Sequence, residues 1–510
     1  MFVRHCRRAF SNTAAEDLTN VVISRLDLTS GGCGVATLSS QDKPDLTIHV
    51  PNSVTGDTIQ IKDYRIPKKS RRRRRKRGKR DKFIYRAVEH IVEPSTTHRV
   101  QPRCAHFDYC GGCQLQHVDY AHQLSTKEEW LRHEFLKAAD EHGTTMKMCP
   151  PNMDIRPIIG CTEEHIFEYR NKMEFTFSTR EFYQDTNEQG LQPVLPFVLG
   201  LHPSRQTNST RGRWHDKIVR LNKCHLQTPT CNMIMLWVAK AVERYELPIY
   251  DQTIHEGFMK NLILRSSHNN ATEEIFIEFR TGVQSENDPN VVRLNSLIEE
   301  LHLHFNAPLE DSDASGATAA GNGNRATKKQ SKIVGIVSTV DAQAKRHQQM
   351  DVSSEHITVH SGTSYYSEAI NDSTFQVSRG AFFQPNPKQA QLLFSECASL
   401  LELDGTQTLW DLYCGAGVVG IALAGEQRVS TLIGIELNKE AVLDAERNAA
   451  ANGFSTDIAS FHSVDLNTKK TNNALELLDL PNPDIIVVDP PRAGKWGIHF
   501  FVFVFLFQCD

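Results

Sequence analysis

Apolar and polar residues fall into three rhythms along this chain. In the first, up to about residue 92, they alternate with a period of two. Val21 to Leu28 alternates, Gly31-Gly32-Cys33-Gly34 makes a turn, and Thr47 to Val50 and Thr58 to Ile61 follow as strands. Pro51-Asn52 and Gly56-Asp57 are turn signals between them, and Phe83 to Val92 supplies another strand. Short strands at this spacing predict a small barrel. The second rhythm is mixed. Ser125 to Ala139 has helical spacing, with Trp130, Leu131 and Phe135 on one side. Tyr169 to Phe177 alternates again, and Asn261 to Arg265, Glu274 to Phe279 and Ile333 to Val340 predict more strands of an α+β central domain. The third rhythm begins after an amphipathic helix from Lys388 onward, carried by Ala390, Leu393, Cys397, Leu400 and Leu401. Short strands from Trp410, from Leu432 to Ile435 and from Ile485 to Val488 then alternate with helical segments. This predicts a doubly wound parallel sheet.

The polar residues that end those strands change the picture most. Trp410-Asp411-Leu412-Tyr413 runs into Cys414-Gly415-Ala416-Gly417-Val418-Val419-Gly420, the second apolar run ends in Glu436, and the third ends in Asp489-Pro490-Pro491-Arg492. Ligands of doubly wound sheets sit beyond the carboxyl ends of the strands, so Tyr413, Glu436 and Asp489 are placed to share one pocket. Gly415 and Gly417 let the backbone pass close to a ligand, and the helix behind them offers free N–H groups. Gly415, Gly417 and Gly420 fit the dinucleotide pattern G-x-G-x-x-G, which is weak evidence alone. An acid just before the glycines, Asp411, suits a ligand with a cationic part better than a pyrophosphate. S-adenosylmethionine carries a sulfonium, an ammonium and a ribose, and Glu436 suits the ribose hydroxyls. A nicotinamide dehydrogenase is the competing reading of the same turn.

Composition sets bounds. The chain has 510 residues, net charge −4, 39% apolar and 23% charged residues. That describes a globular multidomain protein with local rather than global affinity for nucleic acid. No apolar run approaches the ~20 residues needed to span a bilayer, so no membrane partner is expected. Met1 to Ala15 holds Arg4, Arg7 and Arg8 without an acid, which suits a mitochondrial or other organelle transit peptide; a disordered terminus is the plain alternative. Lys68 to Arg80 is almost wholly basic, which suits a nuclear address or a phosphate-contacting loop. Residues 310–332 read as a disordered surface insertion.

The chain has twelve cysteines, and with no secretory signal they read as reduced thiols or metal ligands. Cys104, Cys110 and Cys113 follow C-x5-C-x2-C. Three thiols need a fourth ligand, for which Cys149, Cys161, Cys224 and Cys231 are candidates. Four thiolates hold zinc or a [4Fe–4S] cluster, and spacing leaves both open.

Taken together these stretches resemble the RNA uracil-5-methyltransferases of the tRNA and rRNA type. The resemblance lies in Asp411 to Gly417, Gly434-Ile435-Glu436, Asn448 to Gly453 and Asp489 to Gly494. Upstream it includes Phe382-Phe383-Gln384-Pro385-Asn386, Tyr169-Arg170-Asn171-Lys172 and the cysteines. It implies an OB-like, TRAM-like RNA-binding barrel over 18–95, with the basic run 68–80 inserted, and a central domain over 96–374. A Rossmann-like S-adenosylmethionine-binding domain over 375–494 follows, and the remaining segments are 1–17 and a foreign tail, 495–510. It implies that Gln384, Asp411, Tyr413, Gly415, Gly417, Glu436, Asp465 and Asp489 bind the donor, and that Arg170 and Lys172 face RNA. It selects Cys224 as the fourth thiolate and [4Fe–4S] over zinc, as a structural tie. RNA is the implied partner, and the chain is expected to be monomeric.

The resemblance also implies covalent catalysis. A cysteine thiolate adds to C6 of a uracil taken out of its stack, C5 becomes enolate-like and attacks the sulfonium methyl, and a base removes the C5 proton. The family's nucleophile sits in a Ser-Cys-Asn-Pro stretch beyond Asp-Pro-Pro-Arg, with the glutamate base later still. After Gly494 this sequence departs from the family, so a truncated chain without either residue is expected and no catalytic residue is assigned. A non-catalytic RNA-binding protein is the alternative. The missing strands would leave Ile485 to Val488 as an apolar edge. The aromatic run Phe500 to Phe507 is then expected either to cover that edge or to drive aggregation.

Overall fold

The computed structural model describes residues 18–29, 31–40, 43–62, 88–142, 156–182, 196–204, 217–282, 288–306, 330–340, 357–425, 428–466, 478–490 and 505–508. The first fifteen residues, the basic run 68–80 and nearly all of 310–332 lie outside these. The chain forms two compact units, residues 1–160 with 201–219, and residues 161–200 with 220–510.

The first unit begins with β1 (Leu18–Val22), β2 (Arg25–Asp27), β3 (Cys33–Ser40), β4 (Lys43–Val50), β5 (Thr58–Lys62) and β6 (Val88–Glu93). They make two antiparallel three-stranded sheets, ordered β1-β5-β6 and β2-β3-β4. Val21, Ile23, Ala36, Ile48, Val50, Ile59 and Ile61 come from both sheets and form one core. The period-two pattern is what puts them on one face. Helix α1 (Tyr120–His142) follows a cysteine-bearing loop.

The second unit contains β7 (Lys172–Ser178), α2 (Pro229–Arg244), β10 (Met259–Ser266), β11 (Glu273–Thr281), α3 (Pro289–Asn306), β12 (Ser331–Val340) and β13 (Ile357–Gly362), together with β8 (Val198–Leu201) up to Gly200 and β9 (Val219–Arg220) from Arg220. Its strands form a seven-stranded mixed sheet ordered β13-β12-β11-β10-β7-β8-β9. The hairpin β14 (Tyr365–Ile370) and β15 (Ser373–Ser378) then leads to α4 (Pro387–Leu401). Pro387 starts α4 where a missing N–H costs nothing, and Asn386 caps it by accepting from Gln389 N–H at 3.1 Å.

The predicted doubly wound sheet follows, with β16 (Thr408–Leu412), α5 (Val418–Ala424), β17 (Thr431–Glu436), α6 (Lys439–Ala451), β18 (Ala459–Ser463) and β19 (Ile485–Val488). These four strands are parallel, in the order β18-β17-β16-β19. A fifth strand, β20 (Phe505–Gln508), runs antiparallel along β19, with Val488 opposite Phe505 and Ile485 opposite Gln508. The sheet is therefore mixed, and the aromatic run provides the edge-covering strand that the sequence offered as one of two outcomes. A continuous core joins Phe276 and Val337 of the seven-stranded sheet to the hairpin, α4 and the inner faces of β16, β17 and β19.

Candidate functional site

The strand order reverses between β16 and β19, because β17 and β18 lie to one side of β16 and β19 to the other. That reversal is the switch point at which such sheets bind ligands. Tyr413 follows β16, Glu436 ends β17, Asp465 lies just past β18, and Asp489 follows β19.

The glycine turn is built for close approach. Tyr413 has φ 65°, a conformation that costs a non-glycine residue of order 1–3 kcal/mol and gathers at functional sites. Gly415 has φ 56°, and a Cβ placed on it would meet nothing within 4 Å, so its backbone borders open space. Gly417, with φ 77°, precedes α5, and a Cβ there would crowd Ile421, Ala445 and Phe461. Glu436 braces the turn. Its Oε2 accepts from Gly415 N–H at 3.1 Å and its Oε1 from Asn438 N–H at 2.9 Å. Each oxygen keeps a further lone pair, so the fixed carboxylate can still accept from a diol.

Asp411 is fully buried beneath the turn, and its Oδ2 accepts from Gly420 N–H at 2.8 Å. Its Oδ1 is buried without a hydrogen-bond partner. Burial pushes its carboxyl up to about 7; the Gly420 bond opposes this, and the charges of Asp489 and Glu436 add to it. A cation in the pocket would oppose that rise. Asp489 is also raised by burial, and its Oδ2 accepts from Gln384 Nε2 at 3.3 Å. Tyr413 is raised by burial and then by the charge of Asp465, which puts those two side chains in one electrostatic neighbourhood. Cys414, within the turn, is buried, and its thiol is pushed well above its ordinary value by burial, Asp411 and Glu436. It is held as a thiol and does not suit a nucleophile.

All eight residues expected at the donor site thus belong to one switch point or its supports. Their chemistry fits S-adenosylmethionine: an open backbone cradle at Gly415, a braced carboxylate at Glu436 and an orphaned acidic oxygen at Asp411.

Three supporting residues carried no role in the sequence reading. Asn171, buried, donates from Nδ2 to Gln384 O at 2.9 Å and from its backbone N–H to Pro385 O at 3.1 Å. Arg265, buried, donates from Nη2 to Arg379 O at 2.8 Å and Ala381 O at 3.2 Å. Together they fix the segment that carries Gln384. Asn448, fully buried on α6, donates from Nδ2 to Ala416 O at 3.0 Å and accepts at Oδ1 from Gln376 N–H at 2.8 Å. Asn448 opens the stretch Asn448 to Gly453 that carries part of the resemblance, and it stands four residues before Asn452 on the helix; neither signal names its partners.

Arg170 and Lys172 flank Asn171. Arg170 Nε is buried without a partner, and the Lys172 ammonium is pushed down by burial and then by Arg265. Neither is a freely solvated cation.

Cys104, Cys110 and Cys113 lie in the first unit and Cys224 in the second. Cys104 N–H donates to Gln116 Oε1 at 3.1 Å, and Gln116 Nε2 to Cys113 Sγ at 3.1 Å. Among the described residues no three of His, Cys, Asp or Glu converge enough to hold a metal ion. The local C-x5-C-x2-C spacing says nothing about how closely the sulfurs approach. Among the described residues, no helix is long and apolar enough to cross a membrane.

Residues 334–496 match the model of the tRNA (uracil-5-)-methyltransferase family. An uncharacterized RNA methyltransferase of Chlorobaculum tepidum is 29% identical over 418 residues, covering 80% of this chain and 72% of that one. One of Listeria monocytogenes is 27% identical over 448 residues, covering 88% and 78%. The fold is similar to that of the Pyrococcus abyssi tRNA (uracil-54, C5)-methyltransferase, solved with S-adenosyl-L-homocysteine, at TM-score 0.55 and 21% identity, covering 93% of this chain and 85% of that one. With the switch-point acids and the glycine turn in place, residues 334–496 are similar to the tRNA (uracil-5-)-methyltransferases, and the chain over most of its length is similar to RNA methyltransferases.

Proposed function

We propose that this chain binds S-adenosylmethionine at the β16–β19 switch point and serves the methylation of uridine C5 in tRNA or rRNA. The observation that carries the reading is the convergence of Gln384, Glu436 and Asp489 around an open glycine turn. S-adenosylmethionine supplies an electrophilic methyl on a sulfonium. Glu436 would hold the ribose diol, and the Gln384–Asp489 pair would form the wall towards the methionine end. Asp411 would balance positive charge from beneath the turn.

No Ser-Cys-Asn-Pro stretch occurs within the 510 residues. The proposal for this chain therefore rests on donor and RNA binding, with the nucleophile and the proton-removing glutamate unassigned. Two antiparallel sheets about one core support reading the first unit as a small OB-like, TRAM-like RNA-binding module. A [4Fe–4S] cluster on Cys104, Cys110, Cys113 and Cys224 rests on cysteine spacing and family resemblance alone, and no step is routed through it. Iron and acid-labile sulfide in the purified chain test it directly.

Equilibrium binding of S-adenosyl-L-homocysteine tests the donor site, and tritium release from 5-³H-uridine RNA tests the reaction. Donor binding without tritium release supports an RNA-binding chain that lacks the chemical step. Failure to bind the donor, with binding of a nicotinamide nucleotide instead, overturns the proposal.

A further inference from the structure

The first unit holds a pocket that the donor site does not use. It has a volume of about 270 Å³, and Asn52, Arg99, Gln101, Cys104, Phe107 and His117 are among its walls. That is just below the ~300–1,000 Å³ of sites for larger ligands and suits a single flat ring system.

Its polar groups are fixed in advance. His117 is 2% exposed, and its Nε2 lies 3.3 Å from Ser53 O. A carbonyl only accepts, so Nε2 carries the hydrogen and Nδ1 is left as a bare acceptor. Nδ1 is buried with no partner. A buried acceptor of this kind asks for an N–H or O–H donor from outside the chain. Arg99 is held flat. Its Nε donates to Asp57 Oδ1 at 3.1 Å, and its Nη2 donates to Asp57 Oδ2 at 2.5 Å and to Asn52 O at 3.0 Å. Asp57 is fully buried and cancels the guanidinium charge. A neutralised, immobile guanidinium is a poor phosphate anchor and a good stacking plane. The Phe107 ring, 5.0 Å from the His117 ring, supplies an aromatic wall.

We propose that this pocket takes one unpaired nucleobase of an RNA, stacked beside Phe107 and Arg99 and donating an N–H to His117 Nδ1. The inference rests on the RNA-binding reading above and adds a second, base-reading contact in the other unit. A base inside a duplex cannot enter such a pocket, so the recognised element is single-stranded, a loop or a bulge.

The test uses the full chain and a fluorescent single-stranded RNA dodecamer, followed by anisotropy. A matched oligonucleotide has every base removed but the backbone kept. Base stacking contributes enough that the base-bearing RNA should bind the wild-type chain about fivefold or more tightly than the abasic one. His117→Gln keeps a donor for Ser53 O but moves the free acceptor away from the Nδ1 position to Oε1. Gln101→Ala changes an exposed wall residue and guards against misfolding of the first variant. Either substitution should shrink the preference for base-bearing RNA and leave abasic binding unchanged. A 4-thiouridine version should crosslink to the peptide spanning residues 99–117. Equal binding of the two oligonucleotides, or their competition by inorganic phosphate, overturns the inference in favour of a backbone contact. RNA binding with crosslinks elsewhere sinks the pocket but spares the RNA reading, whereas no RNA binding at all sinks both.

Discussion

Gln384 Nε2 donates to Asp489 Oδ2, joining two residues 105 positions apart at the mouth of the switch point. Asn171 grips the carbonyls of Gln384 and Pro385, while Gln384 grips the acid that follows β19. This wall of the proposed donor site is therefore assembled from the residue before β7, the segment before α4 and the end of β19.

Gln384→Ala should weaken binding of S-adenosyl-L-homocysteine about tenfold, because Gln384 Nε2 no longer orients the Asp489 carboxylate and one hydrogen bond to a charged group is worth ~1.5–3 kcal/mol. Isothermal titration calorimetry reads this directly. Unchanged affinity would place the donor elsewhere.

Asp411 sets a pH dependence with a definite sign. Its folded carboxyl is raised to about 7, so between its ordinary value and about 7 the folded state holds a proton that the unfolded state has released. Stability from this group is therefore greatest in acid and falls as pH rises to about 7, by up to ~1.4 kcal/mol per pH unit. Asp411→Asn removes the titration while still accepting from Gly420 N–H. The wild-type melting temperature should fall relative to the variant's between pH 5 and 7.5, and the two curves should run parallel above that. Parallel curves throughout would show that Asp411 is ionised already at pH 5.

Asn448→Ala strands the Gln376 N–H and the Ala416 carbonyl inside the protein. Each unsatisfied buried group costs ~1–3 kcal/mol, so unfolding in urea should shift by several kcal/mol. Asn448→Asp keeps the acceptor for Gln376 and should recover part of the loss. A loss no larger than that of an exposed alanine substitution would refute the pinning role.

Strand β20 makes a prediction about association. Removing residues 505–510 uncovers the backbone of Ile485–Val488 on one side. Open apolar edges pair with other chains. The shortened protein should show concentration-dependent self-association by sedimentation velocity, whereas the full chain should not. A shortened chain that stays monomeric and equally stable would mean that the pairing contributes nothing.

The legible parts of the fold were those written in local sequence. Short apolar runs ending in Glu436 and Asp489, and a glycine turn after Asp411, are contiguous patterns, and they placed the parallel strands and the acids at their ends. What escaped depends on contacts between distant segments. Nothing near Asn171 announces that its amide meets Gln384 O, 213 positions away. Arg265 reads as an alternating strand residue, yet it holds two carbonyls more than 110 positions away. The cysteine spacing was equally local, and it could not reveal that no three such ligands converge among the described residues. The tail was legible as β-prone, but a partner for it could only be guessed from the edge it would meet.

Asn448 also donates from Nδ2 to Gln376 O at 3.3 Å, and Asn452 repeats this two-way bonding, accepting from Thr374 N–H and donating to Thr374 O, both at 2.9 Å. One face of α6 thus imitates the ladder of a missing strand alongside β15. Such a seam opens all at once or not at all. The Thr374 and Gln376 amides should therefore exchange with solvent deuterium at the same rate as the middle of α6, and a donor that quietens the glycine turn should slow both together.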